Sequence, residues 1–322
     1  MNFGNVKKNY MVIGGAGFIG SHFVAELLSR NQGQVKVVDN FCSGTEAHIT
    51  PFRADSRFEL FNIDVEKTDQ LIEAMSDIDT VIHLASNPDI ARAASEPRID
   101  FVQGTVLTES VSEAARVAGV NTVLYASGSG VYGDAGHQLL TENSALKPIS
   151  TYGASKLAGE SLLSSYSYMF GIKSLAFRFA NVVGPMQTHG VGYDFLRRLK
   201  INPLSLEILG NGEQSKSYIH VSDVVTAVLF ADSILNEGFD VFNISTPDQI
   251  TVNRIAELAE LTLGLNPEKV IHNYSGGDRG WKADVPIVKL SAANLIKYGW
   301  NPKLNSEEAI AASLKSMAEN LS

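Results

Sequence analysis

The sequence predicts an α/β fold, a doubly wound parallel sheet with a smaller α/β C-terminal substrate domain. Three observations carry this. Short β-branched runs alternate with amphipathic stretches through the first half, a glycine-rich turn follows the first run, and the alternation breaks after Asn181. In order, "YMVIGG", "QVKVVD", "RFELFNID", "DTVIHLAS", "NTVLYAS" and "IKSLAFRFA" read as strands, because each is a short apolar run bounded by turn residues. Between them, Gly17 to Arg30, Asp69 to Met75, Arg98 to Ala118 and Thr151 to Phe170 carry helical spacing. Strands that alternate with helices build a parallel sheet covered on both faces. After Asn181 come loops with short strands, and then helix Ser222 to Leu235 and strand "DVFNIS" resume the alternation. The expected division is a first domain over 1–180, to which a segment near 219–250 returns, and a discontinuous second domain over 181–218 and 251–322.

Composition narrows the function classes. The chain has 322 residues, 44% hydrophobic and 19% charged, which suits a globular protein. A net charge of −9, with 26 basic residues scattered among 35 acidic ones, argues against nucleic-acid binding. The single cysteine, Cys42, excludes an internal disulfide and a multi-cysteine metal site and fits a reducing cytoplasm. "KKNYMVIGGAGFIG" imitates a signal peptide, but its glycine spacing has a better explanation. No apolar run approaches the ~18 residues of a membrane span.

That explanation lies in "VIGGAGFIGSH", where Gly14, Gly17 and Gly20 stand directly after a strand and Phe18 and Ile19 open a helix. Glycine lets the backbone turn tightly against a pyrophosphate, whose charge meets the free N–H groups of the helix N-terminus. The next strand, "QVKVVDN", ends in Asp39, at the distance where a carboxylate binds ribose hydroxyls in a Rossmann-type sheet. Asn40 follows where an arginine would accommodate a 2′-phosphate, so the expected cofactor is NAD rather than NADP. Asp64, with Val65 after it, ends "LFNID" where it could meet the adenine edge; a solvated strand terminus is the plain alternative.

In "STYGASKLAGE", Tyr152 and Lys156 lie four residues apart, on one helix face. An ammonium beside a phenol, helped by a cationic nicotinamide, brings tyrosinate within reach near neutrality. Such spacing alone is common on solvated helix faces; behind a dinucleotide loop it reads as a hydride-transfer pair.

"GGAGFIGSH", "VVDN", "NID", "HLAS", "ASGSGVYGD", "TYGASK", "RFANVVGP", "GEQSKSYIHVSD" and "YGWNPK" occur in the order found in extended short-chain dehydrogenases/reductases. The chain most resembles their NAD-dependent epimerase/dehydratase branch, above all UDP-glucose 4-epimerase-like enzymes. The resemblance implies that Gly14, Gly17, Gly20, Asp39 and Asp64, with Leu84, Ala85 and Ser86 at the end of "HLAS", hold NAD, and that Lys156 also binds the nicotinamide ribose. It implies that Asn181 and Lys216 touch a nucleotide sugar, Lys216 standing where relatives often have arginine, and that Arg279 or Lys282 meets the diphosphate. It further implies a homodimer joined through the helices at 98–118 and 151–170.

The chain departs from the family at "ASGSGVYGD". The family's catalytic serine or threonine falls on Gly128, leaving Ser127, Ser129 or neither to supply the hydroxyl; Ser127 is expected to face the cofactor and Ser129 the substrate. Gly104 similarly replaces an asparagine common in the family. Dehydratases and uronate decarboxylases of the family place carboxyl groups beside the catalytic hydroxyl, where this chain has Ser129 and Gly130. The expected reaction is therefore 4-epimerisation of a UDP-hexose by transient oxidation to a 4-keto sugar. A nucleotide-sugar dehydrogenase or reductase and a UDP-uronate epimerase, the latter using Arg92 or Arg98, are the enzyme alternatives. A non-catalytic NAD-responsive binding protein is the alternative of another class.

Overall fold

The computed structural model describes residues 7–30, 33–235, 237–280 and 284–320. Seven strands form a parallel sheet in the order Phe239–Ile244, Lys173–Phe179, Thr122–Gly128, Thr80–His83, Tyr10–Ile13, Val35–Val38, Phe58–Phe61. Ile13 pairs with Val38 on one side and His83 on the other, so the strand order reverses between Tyr10–Ile13 and Thr80–His83. Ligands of open α/β sheets bind at such a switch point, beyond the carboxyl ends of the strands. The inner strands are apolar runs because helices cover both faces: Met11, Ile13, Val38, Val81 and Val123 pack with Leu71, Val111 and Leu163 from the helices.

Helix Phe18–Arg30 seats Phe23, Val24, Leu27 and Leu28 in the core. Helix Thr151–Phe170 starts where the Ser150 hydroxyl accepts a hydrogen bond from the Gly153 N–H, and stops at Gly171, whose φ of 73° is left-handed. The helix expected over Arg98 to Ala118 is broken. Its middle, Phe101–Val106, is π-helical, between Arg98–Asp100 and Leu107–Ala118. The widened turn sets Gly104 against helix Thr151–Phe170, where a Cβ would lie 2.5 Å from the Ser155 Oγ.

The chain forms two compact units. One holds the residues up to Val131 with Pro148–Arg178 and Val228–Phe242; the other holds Tyr132–Lys147, Phe179–Ala227 and the chain from Asn243. The segment 132–147, expected in the first domain, thus belongs to the second unit, because Leu139–Leu140 pairs with Lys289–Leu290 there. The returning segment is shorter than 219–250, since Tyr218–His220 pairs with Asn181–Val183. The second unit has its own core, including Phe195, Leu199, Leu206, Ile255, Ile310 and Leu314.

Within the first unit, Arg178 on strand Lys173–Phe179 forms a two-pronged ion pair with Glu160, Nε to Oε1 at 2.9 Å and Nη2 to Oε2 at 2.7 Å. The Ser127 hydroxyl donates to the same Oε1 at 2.5 Å. All three residues are buried. Glu160→Ala would take the paired carboxylate away from the buried, charged Arg178. The expected loss is about 3–5 kcal/mol of folding stability, read from urea denaturation.

Candidate functional site

At the switch point, Gly14 takes a φ of 80° and a Cβ there would sit 2.9 Å from the Ala85 N. A Cβ on Gly20 would strike the Gly14 carbonyl oxygen, so the helix begins hard against the turn. Gly17 donates its N–H to the Gly14 carbonyl at 3.2 Å, and Phe18, Ile19 and Gly20 form the first helical turn, whose N–H groups have no partner within the helix. This glycine-walled cradle, with a helix N-terminus aimed into it, fits the pyrophosphate of a dinucleotide.

Asp39 lies at the end of its strand, largely buried. Its Oδ2 accepts from the Ala16 N–H and its Oδ1 from the Phe41 N–H, both at 2.9 Å. Burial pushes this carboxyl above its usual range, against those two bonds. It thereby ties the glycine loop to the second strand, and each oxygen keeps a lone pair for a ribose hydroxyl. Asn40 donates to the Asp64 Oδ2 at 3.2 Å, with Val65 buried behind. Leu84, Ala85 and Ser86 follow strand Thr80–His83, and Leu84 N–H bonds the Ile13 carbonyl.

Tyr152 and Lys156 share the first turns of helix Thr151–Phe170, with the Lys156 Nζ 5.5 Å from the centre of the Tyr152 ring. Nζ donates to the Ala126 carbonyl at 2.8 Å and is buried. Burial pulls this amine down to about 7, opposed by the Asp100 carboxylate. Burial pushes the Tyr152 phenol up to about 12; a hydrogen bond with Ser86 works against the rise and Asp100 adds to it. The protein alone therefore does not supply the lowered phenol expected from the sequence. Asp100 was missed in the sequence. It is buried, with Oδ1 on Asn87 Nδ2 at 2.8 Å and Oδ2 on Thr151 Oγ1 at 2.6 Å, and no local pattern marks it.

Strand Thr122–Gly128 runs past Ser127, and Ser129–Val131 forms one tight turn. Ser127 does not face the cofactor loop as expected. Its hydroxyl is committed to Glu160, because the strand continues and alternation turns it into the core. Ser129 is half-buried, and its hydroxyl makes no hydrogen bond among the described residues. At Gly128 an added Cβ would meet nothing within 4 Å, and the backbone there is not left-handed.

In the second unit, Asn181 donates Nδ2 to the Ser217 carbonyl at 3.4 Å. The Lys216 ammonium pairs with Asp284 Oδ1 at 2.6 Å. Arg279 reaches Asp134 at 3.3 Å and Asp278 at 3.2 Å. Lys282 lies outside the described residues. Arg92 is exposed and paired with Glu96 at 2.8 Å, and Arg98 is exposed.

The profile of the NAD dependent epimerase/dehydratase family matches residues 10–245. The chain belongs to this family. A UDP-glucose 4-epimerase of Mycolicibacterium smegmatis is 29% identical over 95% of this chain and 97% of its own. A solved UDP-galactose 4-epimerase superposes with a TM-score of 0.86 at 36% identity, covering 98% of this chain and all of that one. The Thermotoga maritima UDP-glucose 4-epimerase, solved with UDP-glucose, superposes with a TM-score of 0.87 at 29% identity over 98% of this chain and 100% of that one. As a member of the family, the chain uses NAD.

Gly128 is required neither by space nor by backbone. Gly128→Ser is expected to keep folding stability within about 0.5 kcal/mol of the parent and to raise kcat by putting a hydroxyl at the position where the family resemblance expects one. A thermal melt and a turnover assay check the two halves separately.

Proposed function

We propose that this NAD-dependent sugar-nucleotide epimerase acts on a UDP-hexose at position 4. The observation that carries the reading is the pairing of half-buried Tyr152 with buried Lys156 on one face of helix Thr151–Phe170, Nζ 5.5 Å from the ring centre. The carboxylate that bears electrostatically on Tyr152 is Asp100, and both its oxygens are already held by Asn87 and Thr151. The turn Ser129–Val131 carries no acid. Elimination of water would need a proton donor there, whereas epimerisation needs only removal and return of hydrogen.

Gly14, Gly17, Gly20 and Asp39 would hold NAD, which when bound would supply the hydride chemistry. Tyr152 takes the proton of the 4-hydroxyl and gives it back. Lys156, with its charge, favours the phenolate and orients the ribose. Ser129 donates a hydrogen bond to the reacting oxygen, the part played by a hydroxyl at position 128 in relatives. Asn181, Lys216 and Arg279 hold the nucleotide sugar, Lys216 as a point charge without bidentate geometry. Among the described residues no helix is long and apolar enough to cross a membrane.

The same reading includes a homodimer. It is supported by exposed apolar side chains on the two helical stretches, Phe101 and Val117 on one, and Tyr168 and Met169 on the other, Tyr168 being 93% exposed.

Proton NMR of the purified protein with a panel of UDP-, GDP- and dTDP-sugars, and no NAD added, is expected to give a new anomeric signal from a UDP-hexose. Tyr152→Phe should lower turnover by about 10²- to 10⁴-fold while NAD still co-purifies. A fully active Tyr152→Phe would overturn the assignment, and turnover only with added stoichiometric NAD would point to net oxidation.

A further inference from the structure

The ammonium of Lys156 is enclosed by groups that could hold its charge, but among the described residues no carboxylate pairs with it. On its own helix, Glu160 is turned to Arg178 and Ser127. From helix Arg98–Asp100, the Asp100 carboxylate is engaged by Asn87 and Thr151. From strand Thr80–His83, His83 is buried, donates or accepts at Thr108 through Nε2 at 3.2 Å, and is held neutral, its ring pulled down to about 3 by burial. What faces Nζ instead is aromatic. The Tyr125 ring centre is 5.1 Å away and the Tyr152 ring centre 5.5 Å.

Tyr125 is fully buried on strand Thr122–Gly128, next to the residue whose carbonyl Nζ bonds. Its ring leans on His83, centroids 5.5 Å apart and planes at 33°. Its hydroxyl points at Gly159, where a Cβ would collide with it, so the helix makes room for a tyrosine at one position only by having glycine there. The negative face of a ring attracts a cation most strongly where water is excluded.

We propose that Tyr125 is a positioning residue for the reaction: its ring carries part of the Lys156 charge and holds Nζ between the Ala126 carbonyl and Tyr152. The inference rests on the reading of Tyr152 and Lys156 as the catalytic pair. The ring does this, and the hydroxyl does not. Without the ring the ammonium is less favoured, so the lysine loses its proton at lower pH and its support for the phenolate is lost earlier as pH rises. A desolvated cation–π contact corresponds to a shift of about one pH unit or more.

The test is an NMR titration of isotope-labelled lysine in the NAD-loaded protein, with Lys156→Arg assigning the signal, beside kcat and KM against pH. Tyr125→Leu is expected to lower the Lys156 midpoint by about one pH unit, move the alkaline limb of kcat down equally, and leave KM in place. Tyr125→Phe, which keeps the ring, is expected to restore the parental midpoint. If Tyr125→Leu does not fold, Tyr125→Met gives the same reading. An unmoved midpoint in the ring-free variant overturns the proposal, as does a Phe variant that shifts as far as Leu. The midpoint is read without turnover, so an active Tyr152→Phe would sink the catalytic pair and leave this comparison standing.

Discussion

The candidate site depends on how closely helix Thr151–Phe170 lies against the strand and the π-helical segment beside it. Gly153 meets the Gly130 carbonyl, Gly159 meets the Tyr125 hydroxyl, and Gly104 meets the Ser155 side chain, each at a distance that excludes a Cβ. Three missing side chains bring the helix inside the ordinary packing distance. The electrostatics follow. Burial pulls the pKa of the lysine so placed to about 7, and pushes that of a tyrosine one turn earlier up to about 12. The resting site keeps the phenol protonated, and in so dry a setting any positive charge brought near it acts with high leverage.

The parts legible in the sequence are those with local signatures. The sheet strands, the helix at 151–170 and the glycine cradle follow from apolar period and turn chemistry, which span a few residues each. That Tyr152 and Lys156 share a helix face is readable because four residues is about one helix turn. Ser127 was misread because its direction depends on Glu160 and Arg178, partners that only the folded sheet brings together. Asp100 had no local pattern at all; its partners lie on two other segments. The segment 132–147 went to the wrong unit because its two-residue strand is too short to show a period. The π-helical turn was invisible for a related reason, since the helical spacing on both sides continues through it.

Gly128 differs from the packing glycines. It faces open space, so nothing in the fold selects against a side chain there. The Ser127–Glu160–Arg178 cluster fixes the strand immediately before it, and the turn Ser129–Val131 follows at once. The neighbouring hydroxyl at Ser129 thus sits on a short, anchored piece of backbone, which is the condition a displaced donor needs. In the proposed mechanism a hydroxyl one position along costs some geometry but leaves the acid–base part of Tyr152 in place, so the missing group would affect rate more than reaction type.

The second unit poses the reverse problem: its candidate phosphate-binding cations are already paired. Lys216 holds Asp284 at 2.6 Å, and Asp284 also accepts the Gly280 N–H at 3.0 Å, so this carboxylate has a structural task and keeps the lysine in place. Arg279 is different. It is a third exposed, and its contacts to Asp134 and Asp278 are longer, at 3.3 and 3.2 Å. Exposed ion pairs of this kind are worth little. A diphosphate presents the same oxygens with more charge and matches the planar guanidinium in two places, so exchanging a carboxylate for it favours the ligand. Of the two proposed substrate-binding cations, the arginine therefore has the weaker prior contacts to give up, and the lysine the stronger.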